Sequence, residues 1–231
     1  MSSVAIITAR GGSKRIPHKN IKPFLGKPII AYSIESALAA GCFDEVMVST
    51  DDTEIAKIAA AYGAKVPFMR SSQNSDDFST TRDVVKEVLK QYELEGKIFD
   101  YACCIYPTAP FITPKRLAES MNLLIEKRAD SVLPVVAFSF PPQRCVIIED
   151  GKAKFKWPEH MLTRSQDLEP FYHDCGQFYC LNTKAFEQQE VLFMKNTYPV
   201  ILDEMEVQDI DNETDWKLAE LKYSMSRETK E

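Results

Sequence analysis

Short, uninterrupted apolar stretches alternate with amphipathic stretches along the first 139 residues of the chain. Short runs rich in β-branched residues predict buried strands, whereas apolar residues at helical spacing predict helices. The predicted strands cover residues 4–9, 44–50, 64–70, 100–106 and 130–139, and the predicted helices cover 27–41, 51–62, 79–96 and 114–129. Strands that are apolar on both faces and separated by helices are typical of a covered parallel sheet. We therefore predict an α/β fold with a mostly parallel sheet.

The alternation stops after residue 139. Residues 140–174 are short polar pieces, among them "CVIIEDGKAKFKW", which predicts a hairpin turning at Asp150 and Gly151. "GQFYCLN" then predicts a return to a core strand, and "NETDWKLAELKYSM" predicts a closing helix. We interpret the 231 residues as a single domain with an excursion at about residues 140–174.

Composition narrows the class of protein. The net charge is -6, from 34 acidic and 28 basic residues, which argues against a dedicated nucleic-acid binder because such proteins need clustered cations. The chain has no apolar run near the ~20 residues that span a bilayer and no signal peptide at its start, so we predict a cytoplasmic protein without a membrane partner. Six cysteines lack the paired spacing of zinc sites, so we expect buried, reduced thiols.

Positive charge is concentrated in the segment "RGGSKRIPHKN", which we call the basic loop and which covers Arg10–Asn20. It follows the first predicted strand, where open parallel sheets bind ligands. Adjacent Gly11 and Gly12 allow close approach of the backbone, and successive N–H groups can cradle phosphate oxygens. The segment spells neither of the two common glycine-rich phosphate motifs. It therefore predicts a nucleotide-phosphate site of another type, with a solvated basic loop as the alternative.

An acidic pair, Asp209 and Asp211, lies two residues apart in "VQDIDNE". On a strand these side chains would face the same way, and two carboxylates suit a hard cation such as Mg²⁺. The alternative is a helix cap, since Asp211 or Asn212 precedes the closing helix. The residues alone leave both interpretations open.

Four segments together carry a resemblance over nearly the whole chain: "ARGGSKRIPHKNIKPFLGKPII", "VSTDDTEIAKIAAAYGA", "YPTAPF" and "DIDNETDW". In this order they resemble the cytidylyltransferases that activate nonulosonic acids, the CMP-sialic acid synthetase family. "SFPPQRC" and "RSQDLEPFYHDCGQFY" are most similar to its pseudaminic acid branch. The resemblance implies a Rossmann-like nucleotidyltransferase fold. It also implies a reaction in which the anomeric hydroxyl of a nonulosonic acid attacks the α-phosphorus of CTP, giving a CMP-sugar and pyrophosphate.

The resemblance also implies a homodimer, in which the excursion is an arm that reaches over the partner's site. Apolar residues that would form such a patch, if they are not buried in the subunit, are Phe140, Val146, Ile147, Phe155 and Trp157. Alternative substrates within the family are N-acetylneuraminic acid, legionaminic acid and keto-deoxyoctulosonate. A nucleotide-binding regulator without catalysis is a rival of another class, against which the intact loop bases and aspartates argue.

Individual roles carry over by position in this resemblance. The triphosphate contacts are Arg10, Gly11, Gly12, Ser13, Lys14 and Lys19, with Asn20 also at the nucleotide. Residues near the cytosine are Arg70, Ser79 and Thr81, for which a surface base and a helix N-cap are the alternatives. Residues of the sugar pocket are Tyr106, Arg144, Arg164, Asp174 and Gly176, the two arginines being otherwise ordinary surface residues.

The catalytic groups implied are Arg10, Lys14, Lys19, Asp209 and Asp211. The two aspartates would hold the Mg²⁺ cofactor, and the three cations would stabilise the leaving pyrophosphate. Arg15 stands where the sialic acid branch usually has glycine, and the resemblance assigns it no role. Tyr106 replaces a glutamine of that branch, which favours pseudaminic acid as the substrate.

Overall fold

A computed structural model describes residues 1–76 and 78–228. Its central element is a seven-stranded sheet. The strands are β1 (Ser3–Thr8), β2 (Pro23–Phe24), β3 (Lys27–Pro28), β4 (Glu45–Ser49), β5 (Tyr101–Ile105), β6 (Ser131–Ala137), β7 (Val146–Glu149), β8 (Lys152–Phe155), β9 (Tyr172–Asp174), β10 (Phe178–Asn182) and β11 (Thr197–Leu202). The helices are α1 (Ile29–Ala39), α2 (Thr53–Ala61), α3 (Thr81–Leu94), α4 (Pro114–Glu126), α5 (Thr183–Gln189) and α6 (Glu213–Glu228).

The central sheet has the order β11-β6-β10-β5-β1-β4, with β9 paired to β6. β11, β6, β5, β1 and β4 share one direction, whereas β9 and β10 run against their neighbours. The predicted mixed α/β class and mostly parallel sheet are therefore confirmed. Among the described residues, we find no helix with both the length and the apolar character that a membrane crossing requires.

Both faces of the sheet are covered, which explains the uninterrupted apolar runs. On β1, Ala5 and Ile7 point into a cluster with α1, α2 and α4, whereas Val4 and Ile6 point into a second cluster with α3 and α5. Successive strand residues face opposite sides, so a strand between two helical layers must be apolar at every position.

Three parts of the predicted pattern differ. The strand predicted at 64–70 is a single bridge between Lys65 and Met47, and Pro67 in its middle lacks the N–H that a ladder needs. β11 and α5 were not predicted. β11 is an edge strand that leaves Ile201 57% exposed and carries Pro199 inside a short apolar run, and an internal proline argues against a strand except at a sheet edge.

One break in the sheet matters for function. β9 and β10 both run antiparallel to β6, but residues 175–177 between them leave the ladder. Pro134 of β6 lies opposite this break, where its carbonyl accepts the N–H of Cys175 at 3.2 Å. Because a strand residue presents its N and O on the same side, the missing N–H of Pro134 also faces the break. Gly176 turns the chain there with φ of 59°.

The excursion contains the predicted hairpin, formed by β7 and β8. Asp150 and Gly151 both have positive φ, 51° and 73°, as a type I′ turn requires. Large apolar side chains of this segment are exposed, including Phe140 at 87%, Ile148 at 78% and Leu162 at 89%.

Glu45 begins β4 with a carboxylate that is only 3% exposed. Tyr92 donates its hydroxyl to this carboxylate, Lys97 pairs with it, and Lys65 lies 2.9 Å away. Burial alone would raise the pKa of Glu45, but these three hydrogen bonds outweigh burial and lower the pKa to about 2. The carboxylate therefore stabilises the fold in its charged form.

Glu45→Gln is expected to lower the free energy of unfolding at neutral pH by up to about 3 kcal/mol. Because the folded-state pKa lies below the ordinary value, this contribution is complete above about pH 5 and is lost as the pH falls toward 2. Urea unfolding between about pH 7 and pH 3 should show the gap between wild type and variant closing. Glu93→Gln, at an exposed carboxylate on α3, is the control. A gap that stays constant over this range would contradict the linkage.

Candidate active site

The basic loop leaves the carboxyl end of β1 and lines a pocket of about 600 Å³, which we call the first pocket. Its other walls come from the end of β5 and the start of α3. Of the ten predicted nucleotide-binding residues, those that line it are Arg10, Ser13, Lys14, Lys19, Asn20, Arg70, Ser79 and Thr81. Residues distant in sequence and predicted to share one ligand therefore share one pocket.

The two glycines of the loop differ in their surroundings. The N–H of Gly11 donates to Asp51 Oδ1 at 2.9 Å, so this group, expected at a phosphate, is bonded to a carboxylate. A Cβ at Gly11 would lie 2.7 Å from Asp52 Oδ2, so close packing against Asp52 is what requires glycine there. At Gly12 a Cβ would meet no atom within 4 Å, which leaves room for a ligand to approach the backbone.

Buried contacts of Asn20 and Ile16 hold the basic loop against the rest of the fold. Asn20 is buried and donates Nδ2 to the carbonyl of Arg10 at 2.8 Å. Ile16 is fully buried in a cluster that also contains Ile210 and Trp216. These contacts fix the loop backbone and attach it to the segment that carries the acidic pair.

Lys19 connects the loop to the acidic pair directly. Its Nζ donates to the carbonyl of Ile210, the residue between the two aspartates. Burial lowers the pKa of Lys19, while the charges of Asp211 and Asp209 oppose that shift. Both carboxylates are therefore close enough to act on one ammonium group that lines the first pocket.

Asp209 and Asp211 do not lie on a strand but in an extended segment that precedes α6. Asn212 is the cap of α6, because its Oδ1 accepts the N–H groups of Thr214 at 2.8 Å and Asp215 at 3.1 Å. Of the two residues predicted as alternative helix caps, Asn212 is therefore the cap and Asp211 is not. The Asp211 carboxylate lines the first pocket instead, where Arg15 Nη1 lies 2.8 Å from its Oδ2.

The donor set at this place suits a hard divalent cation. The described residues contain no group of three or more His, Cys, Asp or Glu side chains that could enclose a metal. Asp209 and Asp211 offer only two carboxylates, and Mg²⁺ commonly binds one or two carboxylates together with waters and substrate phosphates. The residues thus fit a Mg²⁺ ion that shares its ligands with a nucleotide.

Arg70 and the start of α3 complete the first pocket. Arg70 is only 8% exposed and donates Nε to Ser49 Oγ at 3.0 Å, so it is not an ordinary surface base. The cap of α3 is Thr80, in a capping box with Asp83, so the predicted N-cap alternative for Ser79 and Thr81 is wrong; the Ser79 hydroxyl donates to Asp76 Oδ1 at 2.6 Å. Thr81 Oγ1 lies 3.2 Å from the hydroxyl of Tyr106.

A second pocket of about 420 Å³ shares the wall formed by Tyr106. We call it the second pocket. Three predicted sugar-binding residues line it, Tyr106, Asp174 and Gly176, and Asp209 of the acidic pair lines it as well. Asp174 accepts the hydroxyl of Tyr179 at 2.6 Å and the N–H of Gly176 at 2.7 Å. Burial raises the pKa values of Tyr106 and Tyr179, so both phenols are neutral. The single hydroxyl proton of Tyr179 is donated to Asp174.

His173, expected at the edge of the sugar pocket from its place in "RSQDLEPFYHDCGQFY", lines the second pocket, whereas sequence reasoning missed Tyr179 and Lys222 among its other lining residues. Tyr179 reads as a core residue of β10, and only the break between β9 and β10 shows that its hydroxyl meets a pocket. Lys222 reads as a surface lysine of α6. Its Nζ donates to the carbonyls of Glu204 at 3.2 Å and Val207 at 3.0 Å, beneath the second pocket.

Two predicted sugar-binding residues lie elsewhere. Arg144 donates to Ser165 Oγ at 3.2 Å, and Arg164 pairs with Asp167 at 2.7 Å with 71% of its side chain exposed. Neither arginine lines the first or the second pocket of its own chain. Both belong to the excursion at residues 140–174.

Comparison with known proteins agrees with this geometry. The model of the cytidylyltransferase family matches residues 4–213. The pseudaminic acid cytidylyltransferase of Campylobacter jejuni is 39% identical over 230 residues, 99% of each chain. The CMP-N,N'-diacetyllegionaminic acid synthase of Legionella pneumophila is 33% identical over 235 residues, again 99% of each chain. A solved CMP:2-keto-3-deoxy-manno-octonic acid synthetase, complexed with CTP, shares the fold with a TM-score of 0.68 at 20% identity, covering 99% of this chain and 100% of its own. With a family match over most of its length and relatives aligned end to end, the chain belongs to the cytidylyltransferase family.

Proposed function

We propose that this enzyme transfers CMP from CTP to pseudaminic acid and releases pyrophosphate. The observation that carries the proposal is the pair of pockets that meet at Tyr106, one lined by the basic loop and the other by Asp174, Gly176 and Asp209. A triphosphate in the first pocket and a sugar in the second would bring the α-phosphorus and the anomeric hydroxyl together. Such placement of two reactants supplies much of the rate of a bimolecular transfer.

The chain's own cations account for the departure of pyrophosphate. Arg10, Lys14 and Lys19 line the first pocket and would face the negative charge that grows on the leaving group. Lys19 is held by the carbonyl of Ile210, so its charge is positioned before the substrates bind. Asp209 and Asp211 would hold the Mg²⁺ ion, which, when bound, supplies polarisation of the phosphate oxygens and charge neutralisation.

The second pocket supports pseudaminic acid over N-acetylneuraminic acid. Tyr106 presents a ring and one hydroxyl where the sialic acid branch has an amide, and Val136 and Ala137 add apolar wall. Pseudaminic acid carries a second acetamido group and a terminal methyl where N-acetylneuraminic acid carries hydroxyls. A site fitted to apolar groups rejects an added hydroxyl only moderately, by about 10²-fold, so we expect preference rather than exclusion.

We further propose a two-fold symmetric homodimer in which the excursion acts as an arm. As far as the described residues go, Lys222 is the only lysine or arginine that lines the second pocket, alongside Asp174 and Asp209. A nonulosonic acid brings a carboxylate, for which bidentate arginine is well suited. Arg144 and Arg164 of a partner's arm would supply that charge. The exposed Phe140, Ile148 and Leu162 give the arm an apolar contact surface.

We also propose a cytoplasmic location, on the ground of the cysteines. All six cysteines are free thiols, although Cys103 and Cys180 lie side by side in the core with their sulfurs 3.5 Å apart. Paired thiols persist in reducing compartments, whereas secreted proteins tend to carry disulfides.

A competition assay tests the substrate. Equal concentrations of pseudaminic, legionaminic and N-acetylneuraminic acids, incubated with CTP, Mg²⁺ and limiting enzyme, should yield mainly CMP-pseudaminic acid by mass, with CMP-N-acetylneuraminic acid about 10²-fold lower. Mixtures without CTP are the control for product identity. Equal or greater formation of CMP-N-acetylneuraminic acid would reject pseudaminic acid while leaving cytidylyl transfer in place. Absence of pyrophosphate with every sugar would reject the transferase function.

A further inference from the structure

The ion pair between Arg15 and Asp211 occupies a carboxylate that the reaction needs. We propose that Arg15 is an exchangeable countercharge of Asp211. In the nucleotide-free enzyme Arg15 forms an ion pair with Asp211. When Mg²⁺ and CTP bind, Mg²⁺ replaces Arg15 at Asp211, and the guanidinium of Arg15 pairs with the phosphates of CTP instead. The inference rests on the proposed function, because it takes Asp211 as a metal ligand. It gives Arg15 a positioning role in deciding when the metal binds.

Distance and exposure make the pair both formed and easily broken. Arg15 Nη1 lies 2.8 Å from Asp211 Oδ2, with the two side chains 69% and 42% exposed. Ion pairs with this exposure contribute little to stability. The electrostatic attraction of a carboxylate to a dication is stronger than its attraction to a singly charged guanidinium at the same distance. Mg²⁺ can therefore displace Arg15 from Asp211 once phosphates and water supply the remaining ligands of the ion.

The backbone around the pair is fixed, so the exchange needs only side chains to move. Ile16, next to Arg15, and Ile210, next to Asp211, are both buried in one apolar cluster. Lys19 adds a hydrogen bond to the carbonyl of Ile210. The long arginine side chain can turn about this fixed base while the loop and the acidic segment stay in register.

The position to which Arg15 would turn is already built. Arg15 lines the first pocket together with Arg10, Lys14 and Lys19, all expected at the triphosphate. A triphosphate offers oxygens that pair with guanidinium in bidentate fashion. CTP therefore gives Arg15 a new anionic partner in place of Asp211, and its phosphates at the same time provide ligands for the metal. Metal and nucleotide should bind with positive coupling, and that coupling should depend on Arg15.

Metal binding to the nucleotide-free enzyme tests the exchange without any turnover. Mn²⁺ serves as the probe, and free Mn²⁺ is measured by its electron paramagnetic resonance signal during titration of wild type, Arg15→Gln and Lys22→Gln. Lys22 is the matched control, since it is a cation of the same region that pairs with Glu213 at 2.6 Å rather than with Asp211. We expect Arg15→Gln to bind Mn²⁺ about two- to tenfold more tightly than wild type, and Lys22→Gln to change little.

Two further variants locate the effect. Arg15→Lys keeps the charge and should stay near wild type, whereas adding Asp211→Asn to Arg15→Gln should abolish the gain. CTP affinity, measured by calorimetry in Mg²⁺ and in chelator without sugar, gives the coupling, which should be smaller in Arg15→Gln than in wild type. Unchanged Mn²⁺ affinity in Arg15→Gln, or an equal gain in Lys22→Gln, would overturn the proposal.

These outcomes are separate from the fate of the proposed function. If wild type forms CMP-pseudaminic acid but Arg15→Gln binds Mn²⁺ no more tightly, only the exchange is wrong. If no sugar yields pyrophosphate but Arg15→Gln binds Mn²⁺ more tightly, the competition at Asp211 stands and the transferase function is wrong.

Discussion

Asp209→Asn and Asp211→Asn are each expected to fold normally and to lose about 10²-fold or more in turnover at saturating Mg²⁺. Asparagine keeps the shape of the side chain but removes the negative charge that a dication needs. Burial lowers the pKa of Lys19, and the charges of both carboxylates oppose that shift. Asp211 lines the first pocket while Asp209 lines the second, so under the proposed function the two flank the place where the metal would bind. A loss of that size corresponds to about 3 kcal/mol of transition-state stabilisation, as expected when one metal-mediated charge interaction disappears.

The control for these variants is Glu213→Gln. Glu213 lies two residues beyond Asp211, pairs with Lys22 and lines neither pocket, so the same chemical change should leave turnover near wild type. Circular dichroism and thermal unfolding verify that each variant is folded. Near-normal turnover of a folded Asp211→Asn protein would refute its role as a metal ligand.

Heterodimers of two inactive chains are expected to recover about half of wild-type activity. One chain carries Arg164→Gln and the other Asp211→Asn, each alone reducing sugar turnover about 10²-fold. If Arg164 serves the partner's second pocket, the Arg164→Gln protomer keeps its own Asp211 and receives a normal arm from its partner, so one of the two sites is complete. Co-expression with two affinity tags isolates the heterodimer, and CMP-sugar formation is the readout.

Homodimers of each variant, purified in the same way, set the background. Light scattering at micromolar concentration gives the mass and would reject the arrangement if the wild-type chain is strictly monomeric. A dimeric heterodimer that stays inactive would place Arg164 at the site of its own chain, whereas an Arg164→Gln homodimer with normal turnover would show that Arg164 serves neither site. The Arg164–Asp167 pair, at 71% exposure of the arginine, costs little to break, so folding should not limit this test.

The parts of the fold that could be predicted from sequence are those governed by local patterns. The apolar run of β1 needs both faces buried, and the glycine and base content of the basic loop points to phosphate wherever it lies. The hairpin at Asp150 and Gly151 follows from the φ values that only such residues accept readily. These features are written in adjacent residues.

The unpredicted parts depend on partners distant in the chain. The break between β9 and β10 lies opposite Pro134 on a neighbouring strand, and Asp174 and Tyr179 on either side of the break line the second pocket. The competition between Arg15 and Asp211 joins residues that no local pattern connects. Arg144 and Arg164 could be assigned to a sugar only through resemblance, because nothing within one chain places them there.

Tyr106 is a wall of both pockets, so with the nucleotide in the first and the sugar in the second, as proposed, we expect sugar preference and nucleotide binding to be coupled through this residue. A substitution at 106 that refits the second pocket also removes the partner of the Thr81 hydroxyl, 3.2 Å away in the first. It also alters the packing against Tyr179, whose ring centre lies 5.7 Å away. Under the proposed function we therefore expect adaptation to another nine-carbon acid to involve correlated changes at positions 81, 106 and 179, because a single replacement at 106 would also disturb the nucleotide pocket. Epistasis of this kind would keep branches of such a family distinct even where their reactions are the same.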